Sequence, residues 1–271
     1  MEIAEIRKKA YQIRLDAVNM IYNGKTGHTG GSLSEADIMA VLFYGVMRLD
    51  AKNPGWKDRD RFLLSKGHSV ECYYAMLADL GYFPRKDLAS FSRFGTKLLG
   101  HPNNKVNGIE VNTGALGHGL SLGVGMALAA RMDKAPYRVF VLMGDGEQAE
   151  GSVWEAAMSA SHYKLNNLTA VIDRNGLQIS GKTESVMSLE PLKRKWEAFG
   201  FETVEVDGHD HAALYRELSV PGAHGPKLVI ADTIKGKGVS FMENQAKWHH
   251  GVPSAEQMEQ AAAELREAMS K

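Results

Sequence analysis

The sequence predicts an α/β protein built on a parallel sheet with helices on both faces. Three observations carry that expectation. From residue 138 onward, short apolar runs at 138–142, 168–172, 202–206 and 227–231 alternate with helical patterns near 152–163, 190–199 and 210–218. Alternating β and α segments are what a parallel sheet with crossover helices requires. The stretch VFVLMGDGEQAEGSVWE, residues 139–155, runs an apolar strand into a glycine turn and then a helix. Finally, 271 residues with 44% apolar content suffice to bury a substantial core.

The elements follow in order. Ile3, Ile6, Ala10, Ile13, Val18 and Ile21 recur at helical spacing and predict a helix over 3–22. It stops at NGKTGHTGGS, a loop of glycines and hydroxyls. Ser34-Glu-Ala-Asp37 has the spacing of a capping box and predicts a helix to about Arg48. RFLL, residues 61–64, is a short strand ending in SKGH, with a helix after it from about Val70 to Leu80. Residues 84–113 are polar turns with little periodicity. GLSLGVGMALAARM, 119–132, is a helix of small residues suited to close packing. A last helix is predicted at 254–269. No linker or repeat divides the chain, so residues 1–271 are read as a single domain.

Bulk properties exclude several classes. Lys plus Arg and Asp plus Glu both number 32, which gives no basic surface for nucleic acid or for an acidic membrane. No apolar run approaches the ~20 residues of a membrane span, and the N-terminus lacks signal-peptide character. The single cysteine, Cys72, fits a reducing compartment. A cytoplasmic protein is expected.

The glycine turn poses a chemical problem. Gly144-x-Gly146 suggests a phosphate loop, yet Asp145 stands in its middle. Ser152-x-x-Glu155 has capping-box spacing and places the helix start about six residues after the turn. In a dinucleotide fold the turn itself opens the helix, and the pyrophosphate sits on the helix amides. The next strand ends in Asp173-Arg174-Asn175, which is not the acidic ribose contact of that fold. A divalent cation between carboxylate and phosphate removes the conflict, and Mg²⁺ takes oxygen ligands of this kind. Strands in a parallel sheet end on one edge, about 4.8 Å apart, so Asn175 can join Asp145 on one ion. The Leu177 carbonyl is a candidate third ligand.

Ten histidines are present, and His28, His68, His101, His118 and His209 each follow a glycine directly, where 28 glycines in 271 residues predict about one by chance. An imidazole on an open turn is accessible to a ligand and titrates near neutrality. No histidine pair has zinc spacing.

Gly-Asp-Gly followed about thirty residues later by Asn resembles the thiamine-diphosphate motif. TGHTGGSLSEADIMAVLF, DRDRFLLSKGHS, LLGHPNN, VNTGALGHGLSLGVGMALA, GDGEQAEGSVWEAA, DRNGLQISG, VDGHD and KGKGVSFMENQAKWHHGVP then occur in the order seen in transketolases. The resemblance is to the diphosphate-binding domain of that family. It implies thiamine diphosphate as cofactor, with Mg²⁺ held by Asp145, Asn175 and Leu177, or Ca²⁺ or Mn²⁺ in its place. It implies that His68, Gly144, Gly146, Asn175 and His250 contact the diphosphate side, that Gly114 and Leu116 line the ring system, and that Glu150 lies in the cofactor loop. His28, His68, His101 and His250 take catalytic roles in this comparison, with His249 an alternative to His250. His118 stands where the family usually carries Gln. The family's pyrimidine-binding blocks are absent, which implies a C-terminal partner subunit in an α2β2 assembly acting on sugar phosphates in pentose phosphate metabolism. Two other readings stay open at this point: the alpha subunit of a thiamine-dependent 2-oxo acid dehydrogenase, and a non-catalytic cofactor-binding subunit.

Overall fold

The computed structural model describes residues 1–270. Helices α1 (Ile3–Gly24) and α2 (Thr29–Val41) open the chain, and a π-helical turn at Leu42–Val46 extends α2. Strand β1 (Arg61–Leu64) and helix α3 (Val70–Asp79) follow, then α4 (Gly119–Met132), β2 (Val139–Gly144), α5 (Gly151–His162) and β3 (Leu168–Arg174). A hairpin of β4 (Leu177–Gln178) and β5 (Gly181–Lys182) leads into the single turn α6 (Thr183–Val186) and the short helix α7 (Leu192–Ala198). The chain closes with β6 (Glu202–Asp207), α8 (His211–Ser219), β7 (Lys227–Asp232) and α9 (Ala255–Ser270). No helix among the described residues is long and apolar enough to cross a membrane.

Five strands form one sheet in the order β1-β2-β3-β7-β6, and every pair is parallel. The period-two alternation of strand side chains divides the core between two faces. Phe62, Leu64, Phe140, Leu142 and Val171 pack with residues of α1, α2, α3 and α8. Leu63, Val141, Met143, Ala170 and Ile172 pack with residues of α4, α5 and α7. Both faces are covered, which is why these strands read as continuous apolar runs. The small residues of α4 serve close approach, since a Cβ at Gly123 would stand 2.5 Å from Val141 Cγ2. Helix α9 packs Met258, Ala261 and Leu265 on Leu15 and Val18 of α1.

Three sequence expectations are corrected. Helix α2 begins at Thr29, not at Ser34, and ends before Arg48. Ser34 and Asp37 make no capping box because tertiary partners claim both. Ser34 Oγ donates to Asp173 at 2.6 Å, and Asp37 pairs with Arg14. Likewise Ser152 caps nothing. Its hydroxyl donates to the Gly117 carbonyl at 2.9 Å, and α5 starts one residue earlier. The hairpin at 177–182 interrupts what the sequence presents as a plain connection, because strands of two residues carry no periodicity. By contrast, Asp210 is a true N-cap, accepting from the amides of Ala212 and Ala213 at 2.9 and 3.0 Å.

Arg14 and Asp37 are both buried and meet through two bonds of 2.9 and 2.6 Å. His209 completes the arrangement. Its Nε2 accepts from the Ile234 amide at 2.9 Å, so its Nδ1 carries the proton and donates to Asp37 at 2.6 Å. The Gly-His209 turn is therefore structural and not open to a ligand. Burial opposes ionisation of Asp37, but the Arg14 charge and the His209 bond outweigh it and hold the carboxyl well below its ordinary 3.8. A depressed carboxyl stabilises the fold fully above its unfolded pKa and loses that contribution as the pH falls through the folded value. Replacing one partner of a buried pair strands the other charge, so Asp37→Asn is expected to cost about 3–5 kcal/mol at pH 7. The deficit should shrink as the pH falls below about 4. Urea unfolding curves at pH 7 and pH 3 measure this, and an unchanged midpoint at pH 7 contradicts it.

Candidate active site

The carboxyl ends of β1, β2, β3 and β7 surround a cavity of about 340 Å³. A larger hollow, about 440 Å³ beside Phe94, contains none of the predicted site residues. Convergence of polar groups, not size, singles out the first.

One wall is an array of oxygen atoms. The register pairs Gly144 with Asp173, so the residues that follow β2 and β3 emerge side by side. Asp145 Oδ1 accepts from the Gly146 amide at 2.7 Å and Oδ2 from the Gly176 amide at 2.6 Å. The closest cationic atom is Arg174 NH1 at 3.5 Å. Burial and then the charge of Asp173 raise the Asp145 pKa, and the two amides and the Arg174 charge offset this only in part. Asn175 Oδ1 accepts from the Leu177 amide at 3.1 Å, while the Leu177 carbonyl accepts from Lys235 Nζ at 3.2 Å. A carboxylate with little charge compensation, an amide oxygen and a carbonyl therefore share one wall. An ammonium already rests on one of them. That donor set suits a hard divalent cation.

The opposite wall carries imidazoles. The His28 ring lies 5.1 Å from His68, 5.8 Å from His249, 4.8 Å from His250 and 6.2 Å from His101. His68 and His249 stack at 5.2 Å. Burial, then neighbouring positive charge, lowers His28 to about 4, His68 to about 2 and His249 to about 3. Burial lowers His101 as well. The rings of His28, His68, His101 and His249 are neutral near pH 7, each with one donor and one acceptor nitrogen. Lys235 is pushed down to about 8 by burial and then by Lys66.

Of the residues singled out in the sequence, His28, His68, Gly114, Leu116, Gly144, Asp145, Gly146, Asn175 and Leu177 line this cavity. His101, His250 and Glu150 do not. The His101 ring lies beside Gly114, whose Cβ would stand 2.8 Å from it. His250 is exposed, with Nε2 3.4 Å from the Thr26 hydroxyl, and His249 takes the place on the cavity wall. Glu150 and His118 are exposed outside the wall.

Several residues here were not found by sequence reasoning. Lys66 and Lys235 line the cavity, and Glu147 accepts from the Gly117 and Gly144 amides at 2.8 and 3.0 Å and from the Ser65 hydroxyl. Glu147 thereby joins the ends of β1 and β2 to the loop carrying Leu116. Lys66 had a usable signal, because a lysine just after a parallel strand falls on the ligand edge. Gln178 and Ile179, on the hairpin, complete the rim.

Known proteins match this architecture. A family profile described as "Transketolase, thiamine diphosphate binding domain" matches residues 6–269. One of the subunits of the apulose-4-phosphate transketolase of Phocaeicola vulgatus is 49% identical over 274 residues, covering 100% of this chain and 97% of that one. The 6-deoxy-6-sulfo-D-fructose transketolase subunit SqwG of a Clostridium species is 41% identical, covering 96% of each. Among solved structures, transketolase from Campylobacter jejuni superposes with a TM-score of 0.92 at 30% identity, over 98% of this chain but 43% of that one. The chain thus spans less than half of that transketolase and nearly all of the two bacterial subunits. Fold, cavity and these matches together show that the chain belongs to the transketolase family, matching its thiamine diphosphate binding domain over almost its full length.

Proposed function

We propose that this chain is the diphosphate-binding subunit of a two-component transketolase that moves a two-carbon ketol unit from a ketose phosphate to an aldose. The observation that carries the reading is the cavity itself, where an oxygen-rich wall able to hold a cation faces a cluster of neutral histidines. End-to-end similarity to proteins named as transketolase subunits supports a partner chain. The partner in this reading carries the pyrimidine-binding domain and completes the cleft, in an α2β2 assembly with two-fold symmetry. Apulose 4-phosphate is the first candidate ketose, by similarity to the P. vulgatus protein. The same similarities favour ketol transfer over the chemistry of a 2-oxo acid dehydrogenase.

The residues present fit a magnesium diphosphate. Asp145, the Asn175 side chain and the Leu177 carbonyl would hold Mg²⁺, and the Lys235 ammonium, now on the Leu177 carbonyl, would offset the negative charge of a diphosphate there. His68 and the main chain at Gly146 would flank the diphosphate. Leu116 and Gly114 would take the ring system, and a Cβ at Gly146 would press on the Gln178 side chain, 2.7 Å from its Oε1. When bound, thiamine diphosphate supplies the nucleophilic carbon and the electron sink for breaking the bond beside the ketose carbonyl. His28 and His101 serve the sugar. A neutral imidazole accepts the proton of the hydroxyl on the carbon that departs as an aldehyde, and returns it when the acceptor aldose is joined. His249 or His250 steadies the oxygen of the ketose carbonyl.

Two outcomes are expected. The chain purified alone should show no ketol transfer from apulose 4-phosphate with thiamine diphosphate and Mg²⁺, and activity should appear on mixing with the product of an adjacent gene, with co-elution of the two. Full activity from this chain alone refutes the two-component reading. Within the assembled enzyme, His28→Ala and His101→Ala should each lower kcat by about 10²-fold or more with little change in cofactor affinity. His68→Ala should instead weaken cofactor binding. Equal loss of cofactor in all three variants, with normal turnover at saturation, overturns the assignment of roles.

A further inference from the structure

Glu71 is fully buried on the first turn of α3, and no cation lies within salt-bridge distance of it among the described residues. A buried carboxylate without a counter-charge is costly and needs hydrogen-bond donors. Besides its own main-chain amide, Glu71 has two from the segment that carries His28. Its Oε1 accepts from the His28 amide at 2.9 Å, and its Oε2 from the Ser32 hydroxyl at 2.7 Å. His28 occupies the cap position of α2 and makes no side-chain cap of its own. Glu71 therefore acts as a cap from 43 residues away, its charge favourably placed at a helix N-terminus.

The contact is tight enough to constrain the sequence before it. Gly27 has φ +151°, and a Cβ there would stand 2.5 Å from Glu71 Oε1. Glu71 also stands three residues after His68 on the helical run that begins at Gly67. One carboxylate thus joins the His28 loop to the segment carrying His68, and the two rings sit 5.1 Å apart.

We infer that Glu71 is a positioning residue for ketol transfer: by binding the His28 amide and the Ser32 hydroxyl, it sets the His28 imidazole against the substrate in register with His68. This rests on the reading that His28 faces the sugar.

The test is a double-mutant cycle in the assembled two-chain enzyme, with apulose 4-phosphate as donor, comparing Glu71→Ala, His28→Ala and the double variant. A misplacement of about 1 Å costs up to about 10²-fold, so Glu71→Ala is expected to lower kcat by about 10- to 100-fold. Cofactor affinity should stay nearly unchanged. In the His28→Ala background the same substitution should have almost no further effect. Glu71→Gln keeps an acceptor for the amide, and the Ser32 hydroxyl can turn to accept from the new amide group, so this variant should recover most of the turnover. Crystal structures of the cofactor-free variants give a second readout: the His28 ring should leave its contact with His250 in Glu71→Ala and keep it in Glu71→Gln. If the alanine variant fails to assemble, Ser32→Ala replaces it in the cycle. A loss from Glu71→Ala that multiplies in full with that of His28→Ala, or an unmoved ring, overturns this inference and leaves the role of His28 intact. Full turnover in His28→Ala overturns both.

Discussion

Asp173 holds the site together. It lies fully buried at the carboxyl end of β3, and its two oxygens accept from four separate segments. Ser34 of α2 donates at 2.6 Å and the Asn175 amide at 3.2 Å, and Lys66 after β1 and Thr233 after β7 complete the set. Burial would raise its pKa, but Lys66 beside it keeps it ionised and lowered. Lys66 also meets Glu35 at 3.0 Å, where burial lifts the carboxyl to about 8. Lys66 lies between Asp173 and Glu35, so its ammonium offsets the Asp173 charge on the floor of the cavity. Every strand end that faces the cavity except β2 is fastened to this one carboxylate. The Asn175 side chain donates to it directly, and the Asp173 charge acts on Asp145 in front of it, which only Arg174 at 3.5 Å partly compensates.

That balance separates two functions within a small volume. On the floor the Lys66 ammonium is shared between Asp173 and Glu35, and one Glu35 oxygen has no hydrogen-bond partner. The wall above it, at Asp145, has negative charge and few partners, which is where a cation gains most. Across the cavity His28, His68 and His249 are held neutral by burial and then by neighbouring imidazoles and lysines. Neutral rings can both accept and return protons, which cationic rings cannot. The chemistry thus depends on which charges the fold has already cancelled.

Much of this was legible in the sequence, and the limits have physical causes. The strands were visible because both faces of the sheet are covered and each strand is a short apolar run. Asp145 and Asn175 were visible because a carboxylate inside a glycine turn conflicts with a bare phosphate. Helix α2 was misplaced because Ser34 and Asp37 have the composition of a local cap but spend their side chains on distant partners. Asp173, Lys66 and Glu71 were missed because buried charges look like surface charges until their neighbours are known. The Gly-His pairs show the same limit. His28 and His209 share a local sequence, yet one ring faces the cavity and the other is locked between Asp37 and the Ile234 amide. The choice between His249 and His250 is set by the 3₁₀ turn Ala246–His249, which directs the two neighbours differently.

The central claim is that Asp145 and its neighbours bind the cofactor through a divalent cation. Titration calorimetry of thiamine diphosphate into the assembled enzyme, with Mg²⁺ and with chelator, tests it on wild type and Asp145→Ala. Charge-assisted contacts are worth about 1.5–3 kcal/mol each, so loss of the ion should weaken binding by about 10²-fold or more. The account predicts that loss in the variant with Mg²⁺ and in wild type with chelator, with no additional loss when both are combined. Affinity that is unchanged by Asp145→Ala, or by removal of the metal, would contradict it.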